Sequence, residues 1–129
     1  RRGGGQRLVP DDPADTGSCQ TFHIQPMRSD ANVEIMFEDD HVARVSLYTP
    51  WPRAITPEGV GVGSTGEEVL AAYPDALRQP AFYDGPPGYE LVVWIKPQIA
   101  GYRFEIGADG KVQALHLGGP AILYAEGCS

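Results

Sequence analysis

Three stretches decide the fold: Tyr89-Glu90-Leu91-Val92-Val93-Trp94-Ile95-Lys96, Tyr102-Arg103-Phe104-Glu105-Ile106, and Lys111 to Leu117 after the dipeptide Asp109-Gly110. In the first, Leu91, Val93 and Ile95 alternate with Glu90, Val92, Trp94 and Lys96; in the second, Tyr102, Phe104 and Ile106 alternate with Arg103 and Glu105. Successive strand side chains point to opposite faces, so each run reads as a strand with one apolar face. Asp-Gly suits a tight hairpin turn and joins the second strand to the third. The three form an antiparallel meander.

Working outward, Val33 to Tyr48 reads as a hairpin turning at Glu38-Asp39-Asp40, with Val45 and Leu47 on one face of the returning strand and Arg44, Ser46 and Tyr48 on the other. Thr21 to Ile24 alternates as a short first strand stopped by Pro26, and Ile122-Leu123-Tyr124 reads as a last one. The prolines and glycines between Thr49 and Gly63 exclude regular structure. Thr65 three residues before Glu68 is a capping box, so a helix starts there. Its stripe is Val69, Leu70 and Tyr73, and Pro74 ends it. So short a helix needs a sheet to pack on. The expected class is α+β: an antiparallel sheet, hairpin plus meander, with one short helix packed on one face.

The chain has 129 residues, 16 of them Gly and 12 Pro, and a net charge of −7. That length suits one domain, and the turn-forming residues favour a sheet. Residues 1–18, rich in Gly, Pro and Asp, read as a flexible leader, leaving 19–129 as the folded domain. The leader balances three Arg against three Asp, so the acidity belongs to the domain. A binder of nucleic acid would carry the opposite sign, whereas a cationic protein partner is steered towards such a surface. Two cysteines, Cys19 and Cys128, bracket the domain; bonded, they close it and place it in an oxidising compartment, secreted or periplasmic. There is no transmembrane run, no initiating Met and no apolar signal core, which reads as a product whose export signal has been removed.

Residues 35–42 and 105–112 share a hairpin grammar at an offset of 70, each followed by alternating apolar residues. This is a pseudo-repeat, two adjacent meanders of one sheet, or the chance likeness of two hairpin turns. Val60 to Tyr73, with its glycines, hydroxyl cap and short helix followed by strands, resembles the small bacterial envelope domains of the SmpA/OmlA (BamE-like) group and the repeat of the β-lactamase inhibitory protein-like group. The likeness runs over residues 60–117 and departs at Tyr73-Pro74, where Gly-x-Pro is usual. It implies an extracytoplasmic fold with helix on one sheet face and the other face free to bind protein.

No motif carries chemistry. His23, His41 and His116 lack metal spacing, Glu38-Asp39-Asp40 lacks the rest of a calcium loop, and no serine sits in a nucleophile elbow, so neither cofactor nor metal is expected. What remains is the face opposite Val45, Leu47, Leu91, Val93, Phe104, Ile106, Leu115 and Leu117. It would carry Arg44, Tyr48, Trp94, Arg103 and His116, extended by Trp51 from the proline-rich loop. Trp, Tyr and Arg are typical of binding hot spots; the competing reading covers Trp94 with the N-terminal segment or the 49–63 loop. The expectation is a non-enzymatic protein-binding module, inhibitors included, acting through an uncovered sheet face. The alternatives are a cell-envelope structural or assembly component, and a small hydrolase whose residues converge only in space.

Overall fold

A computed structural model describes residues 7–10, 17–25, 33–39, 41–48, 56–81, 86–97 and 99–124. The elements are β1 (Arg7–Pro10), β2 (Cys19–Gln25), β3 (Val33–Glu38), β4 (His41–Leu47), α1 (Gly66–Ala72), β5 (Leu77–Pro80), β6 (Tyr89–Lys96), β7 (Ala100–Ile106), β8 (Val112–Gly118) and a 3-10 turn (Pro120–Leu123). All strands belong to one eight-stranded sheet in the order β1-β2-β3-β4-β8-β7-β6-β5, with antiparallel neighbours throughout. The class is therefore mainly β, which corrects the α+β expectation. The seven-residue α1 and the four-residue turn are minor beside the sheet, because only the stretch before Pro74 carries a helical stripe.

The strand order is symmetric. Two four-stranded meanders, β1 to β4 and β5 to β8, meet along β4 and β8, where Ser46 lies directly opposite His116. Those two residues are 70 positions apart, so the hairpin echo at that offset reflects two adjacent meanders of one sheet. Equivalent cross-strand rows recur in each half: Phe22, Ile35 and Val45 in the first, and Leu91, Phe104 and Leu115 in the second.

The helix forms as its capping box predicts: the Thr65 hydroxyl accepts from the Glu68 amide at 3.1 Å, and the Glu68 carboxylate accepts from the Thr65 amide at 2.8 Å. It packs on the second meander, with Val69 fully buried, Tyr73 against the rings of Tyr102 and Phe104, and Gly66 under Tyr89. A side chain at Gly66 would strike the Tyr89 hydroxyl. Leu47, Leu91, Val93, Phe104, Ile106 and Leu115 form the core with α1, and Val45 and Leu117 pack against it, so the expected inner face is the observed one.

Three elements differ from expectation. The segment expected to end in a strand at 122–124 forms the 3-10 turn, since Pro120 occupies its first positions and presets a helical φ. β5 is an edge strand whose Leu77, Arg78 and Pro80 are exposed, so no alternation marks it. β1 lies within the stretch read as leader and pairs with β2 as the other edge. Both edge strands end in proline, which lacks the amide that an added strand needs.

Candidate functional site

The outer face of the sheet, away from α1, carries a row of polar residues set by the register: Glu34 opposite Ser46, Ser46 opposite His116, and His116 opposite Arg103. These residues alternate with the apolar core positions of their strands, so the sequence pattern alone assigns them to this face. Unlike an open binding face, it is closed. Arg44, Ser46, Glu90, Arg103 and His116 are each no more than 2% exposed.

The 3-10 turn accounts for the closure. A helical turn leaves its last carbonyls short of internal partners; the Ala121 carbonyl accepts from the Tyr124 amide, and two guanidinium groups supply further donors. Arg44 Nη1 donates to the carbonyls of Ala121 at 3.3 Å and Tyr124 at 3.1 Å. Arg103 donates through Nε to the Ile122 carbonyl and through Nη2 to the Tyr124 carbonyl, the latter at 2.9 Å. Their charges are met from below: Arg103 Nη1 lies 3.1 Å from Glu90 and 3.4 Å from Glu105, and Arg44 Nη2 lies 3.6 Å from Glu34. Gln79 donates to the other Glu90 oxygen at 2.9 Å. Arg103 uses all three nitrogens, while Arg44 Nε is buried with no hydrogen-bond partner among the described residues. A buried orphan donor costs about 1–3 kcal/mol, so the two halves of this clamp are unequal.

At the centre, Ser46 Oγ lies 2.6 Å from His116 Nδ1, and His116 Nε2 lies 2.5 Å from Glu105 Oε2. With the imidazole neutral, Nε2–H donates to the carboxylate and Nδ1 accepts the serine hydroxyl. Tyr48, half-buried, sets its ring edge-on to His116 at 5.9 Å. Burial pushes the His116 imidazole below its ordinary value, with the bond to Glu105 opposing and Arg103 reinforcing. Burial alone would raise the Glu105 carboxyl, yet its bond to His116 and the nearby Arg103 hold it low. Burial also lowers the Arg44 guanidinium and raises the Tyr48 phenol.

Serine, histidine and acid in a chain match the connectivity of a hydrolase triad. The imidazole is turned round, however, with its Nδ1 on the serine and its Nε2 on the acid. Ser46 is 1% exposed, so its oxygen is not presented to a substrate. Among the described residues no group of three His, Cys, Asp or Glu is placed to hold a metal ion. What the arrangement can do is tie the C-terminal turn to the sheet and store a proton.

The expected contact residues are thus divided. Arg44, Arg103 and His116 come together as expected on one face, but inside the molecule, where they cannot meet a partner directly. Tyr48 is half-buried over them, and Trp94 is half-buried against Gly101 at the sheet's outer surface. Trp51 and Cys128 lie outside the described residues. Sequence reasoning missed Ser46, Glu34, Glu90 and Glu105 as partners; the 70-residue offset was a signal for the first, because two like hairpins meeting antiparallel set position 46 beside position 116.

The surface that stays apolar lies on the other face, over the first meander. Leu91, Phe104 and Leu115 under α1 are all fully buried. Their counterparts Phe22, Ile35 and Val45 are half-buried, with Phe37 edge-on to Phe22 at 5.1 Å. No helix among the described residues packs there.

Compared with family models, curated proteins and solved structures, the chain shows no match. No described helix is long and apolar enough to cross a membrane.

Proposed function

We propose that the protein is a non-enzymatic, secreted or periplasmic protein-binding module that docks a basic amphipathic helix on the α1-side face of its first meander. The observation that carries this reading is the half-buried row Phe22, Ile35 and Val45, whose equivalent row in the second meander is sealed by α1. A helix with an apolar stripe like Val69 and Tyr73 fits such a face, and anchors at helical spacing are a common recognition mode. Charge selects the partner's sign. Among the described residues Asp39, Glu58, Glu67, Glu68, Asp75 and Asp109 are exposed, against Arg78, Lys96 and Lys111. An inhibitor that caps a helix of its target would work in this way.

The test uses a synthetic amphipathic helix of leucine and lysine, with its leucine–glutamate counterpart as control. Titration calorimetry should show binding of the lysine peptide alone, weakened about tenfold by Ile35→Ser and by high salt. Equal binding of both peptides, or an Ile35→Ser variant that is folded and unaffected, would remove the proposed surface. The Ser46–His116–Glu105 chain favours a second reading, a hydrolase opened by movement of the turn. A fluorophosphonate probe separates the two: labelling of Ser46 supports the enzyme, and an unlabelled protein supports the binding module.

A further inference from the structure

We propose that the 3-10 turn Pro120–Leu123 is an acid-released latch: uptake of a proton by the His116–Glu105 pair frees the turn from the outer face of the sheet. The turn packs on β4, β7 and β8, the three strands that carry Arg44, Arg103 and His116. It is reached through Gly118, at φ 150, and Gly119. A side chain at Gly118 would strike the Ala43 carbonyl, so only glycine carries the chain from β8 into the turn at this positive φ.

The groups around the imidazole decide the sign. From β4 it faces Ser46, Tyr48 and Arg44; from β7, Arg103 and Glu105; Glu34 on β3 and Glu90 on β6 pair with the two arginines. The chain beyond the turn adds Tyr124, whose hydroxyl donates to Glu38. Glu105 is shared, 2.5 Å from His116 and 3.4 Å from Arg103. A proton taken up at His116 Nδ1, the nitrogen that accepts from Ser46, breaks that hydrogen bond and places a charge on a side chain only 2% exposed. Opening lets water reach the charged imidazole and Arg44 Nε, and so moves the imidazole back towards its ordinary range.

Because burial depresses His116 in the closed form, the open form binds the proton more tightly. The latch is therefore fully held above about pH 6.5 and loosens as pH falls towards the closed-state value, by up to tenfold per pH unit. Glu105, also held low, adds a loss of the same sign at lower pH. Tyr48 is raised by burial and stays neutral throughout.

Hydrogen exchange, corrected for its intrinsic pH dependence, tests this between about pH 7.5 and about pH 5.5. The expected result is a loss of protection, at most about tenfold, in residues 119–124 while β7 keeps its own. His116→Gln, neutral at both pH values, should abolish the difference. Protection of the turn that ignores pH, or that falls in step with β7, would overturn the proposal, and the wild-type protein alone decides between these outcomes.

Discussion

Arg103→Met should cost about 3–5 kcal/mol of unfolding free energy, the largest effect expected of any single charge in the molecule. The Arg103 side chain is 2% exposed and meets the Glu90 side chain, 3% exposed, at 3.1 Å. Removing it takes the cation from a buried carboxylate, which keeps the hydrogen bond from Gln79, and removes the Arg103 donor from the Ile122 carbonyl and one of two from the Tyr124 carbonyl. The cost lies in the groups left behind, so Arg103→Met with Glu90→Gln should recover a substantial part of it. Arg44→Met should cost less: its carboxylate partner, Glu34, is 29% exposed, and its Nε has no partner to lose. Urea unfolding of the four proteins measures all of this. A loss under about 1 kcal/mol for Arg103→Met would mean that the clamp holds nothing.

Reduction should be the second large effect. Cys19 carries no free thiol, and the geometry at the end of the described chain bears on its proposed partner, Cys128. Cys19 pairs across the sheet with Glu38, and the Tyr124 hydroxyl donates to Glu38 at 2.9 Å. Position 124 is thus held close to Cys19, and four further residues span at most about 14 Å. A bond across this separation of 109 positions stabilises by up to about 4–5 kcal/mol in the chain-entropy view, and by less in practice. Intact mass with alkylation should reveal two thiols only after reduction, and the reduced protein should unfold at lower urea. Two thiols in the untreated protein would contradict the pairing.

The meander was legible because Leu91, Val93, Phe104 and Leu115 keep strict alternation and because Asp109-Gly110 has one structural meaning. Thr65 and Glu68 were equally plain, since a capping box is a local device whose partners are three residues apart. The side of the sheet to which Arg44, Arg103 and His116 belong was legible for the same reason of alternation. Their burial was not. Arginine is rarely buried unless paired, and the pairing here depends on carbonyls of a turn that local pattern read as strand. The decisive residue was Pro120, which favours a helical start but says nothing of where the turn will lie. β5 escaped because an exposed edge strand has no apolar face to alternate. The class itself changed on a matter of proportion: one helix was expected and one was found, but on a sheet of eight strands.

These corrections relocate the proposed binding face. Pseudo-symmetry between the meanders puts the half-buried row on the α1 side, while the side richest in arginine and histidine is internal. The same residues that resemble an interaction hot spot in one dimension are, in three, the anchors of the chain's C-terminal turn.

The arginine pair closes the outer face by holding residues 121–124. Nuclear magnetic resonance of the arginine side chains tests it most directly. The expected result is a slowly exchanging Arg103 Nε–H signal at neutral pH, with Overhauser contacts to Ile122 and Tyr124. An Arg103 signal that exchanges like that of a solvated guanidinium, without those contacts, would contradict it and leave the face open.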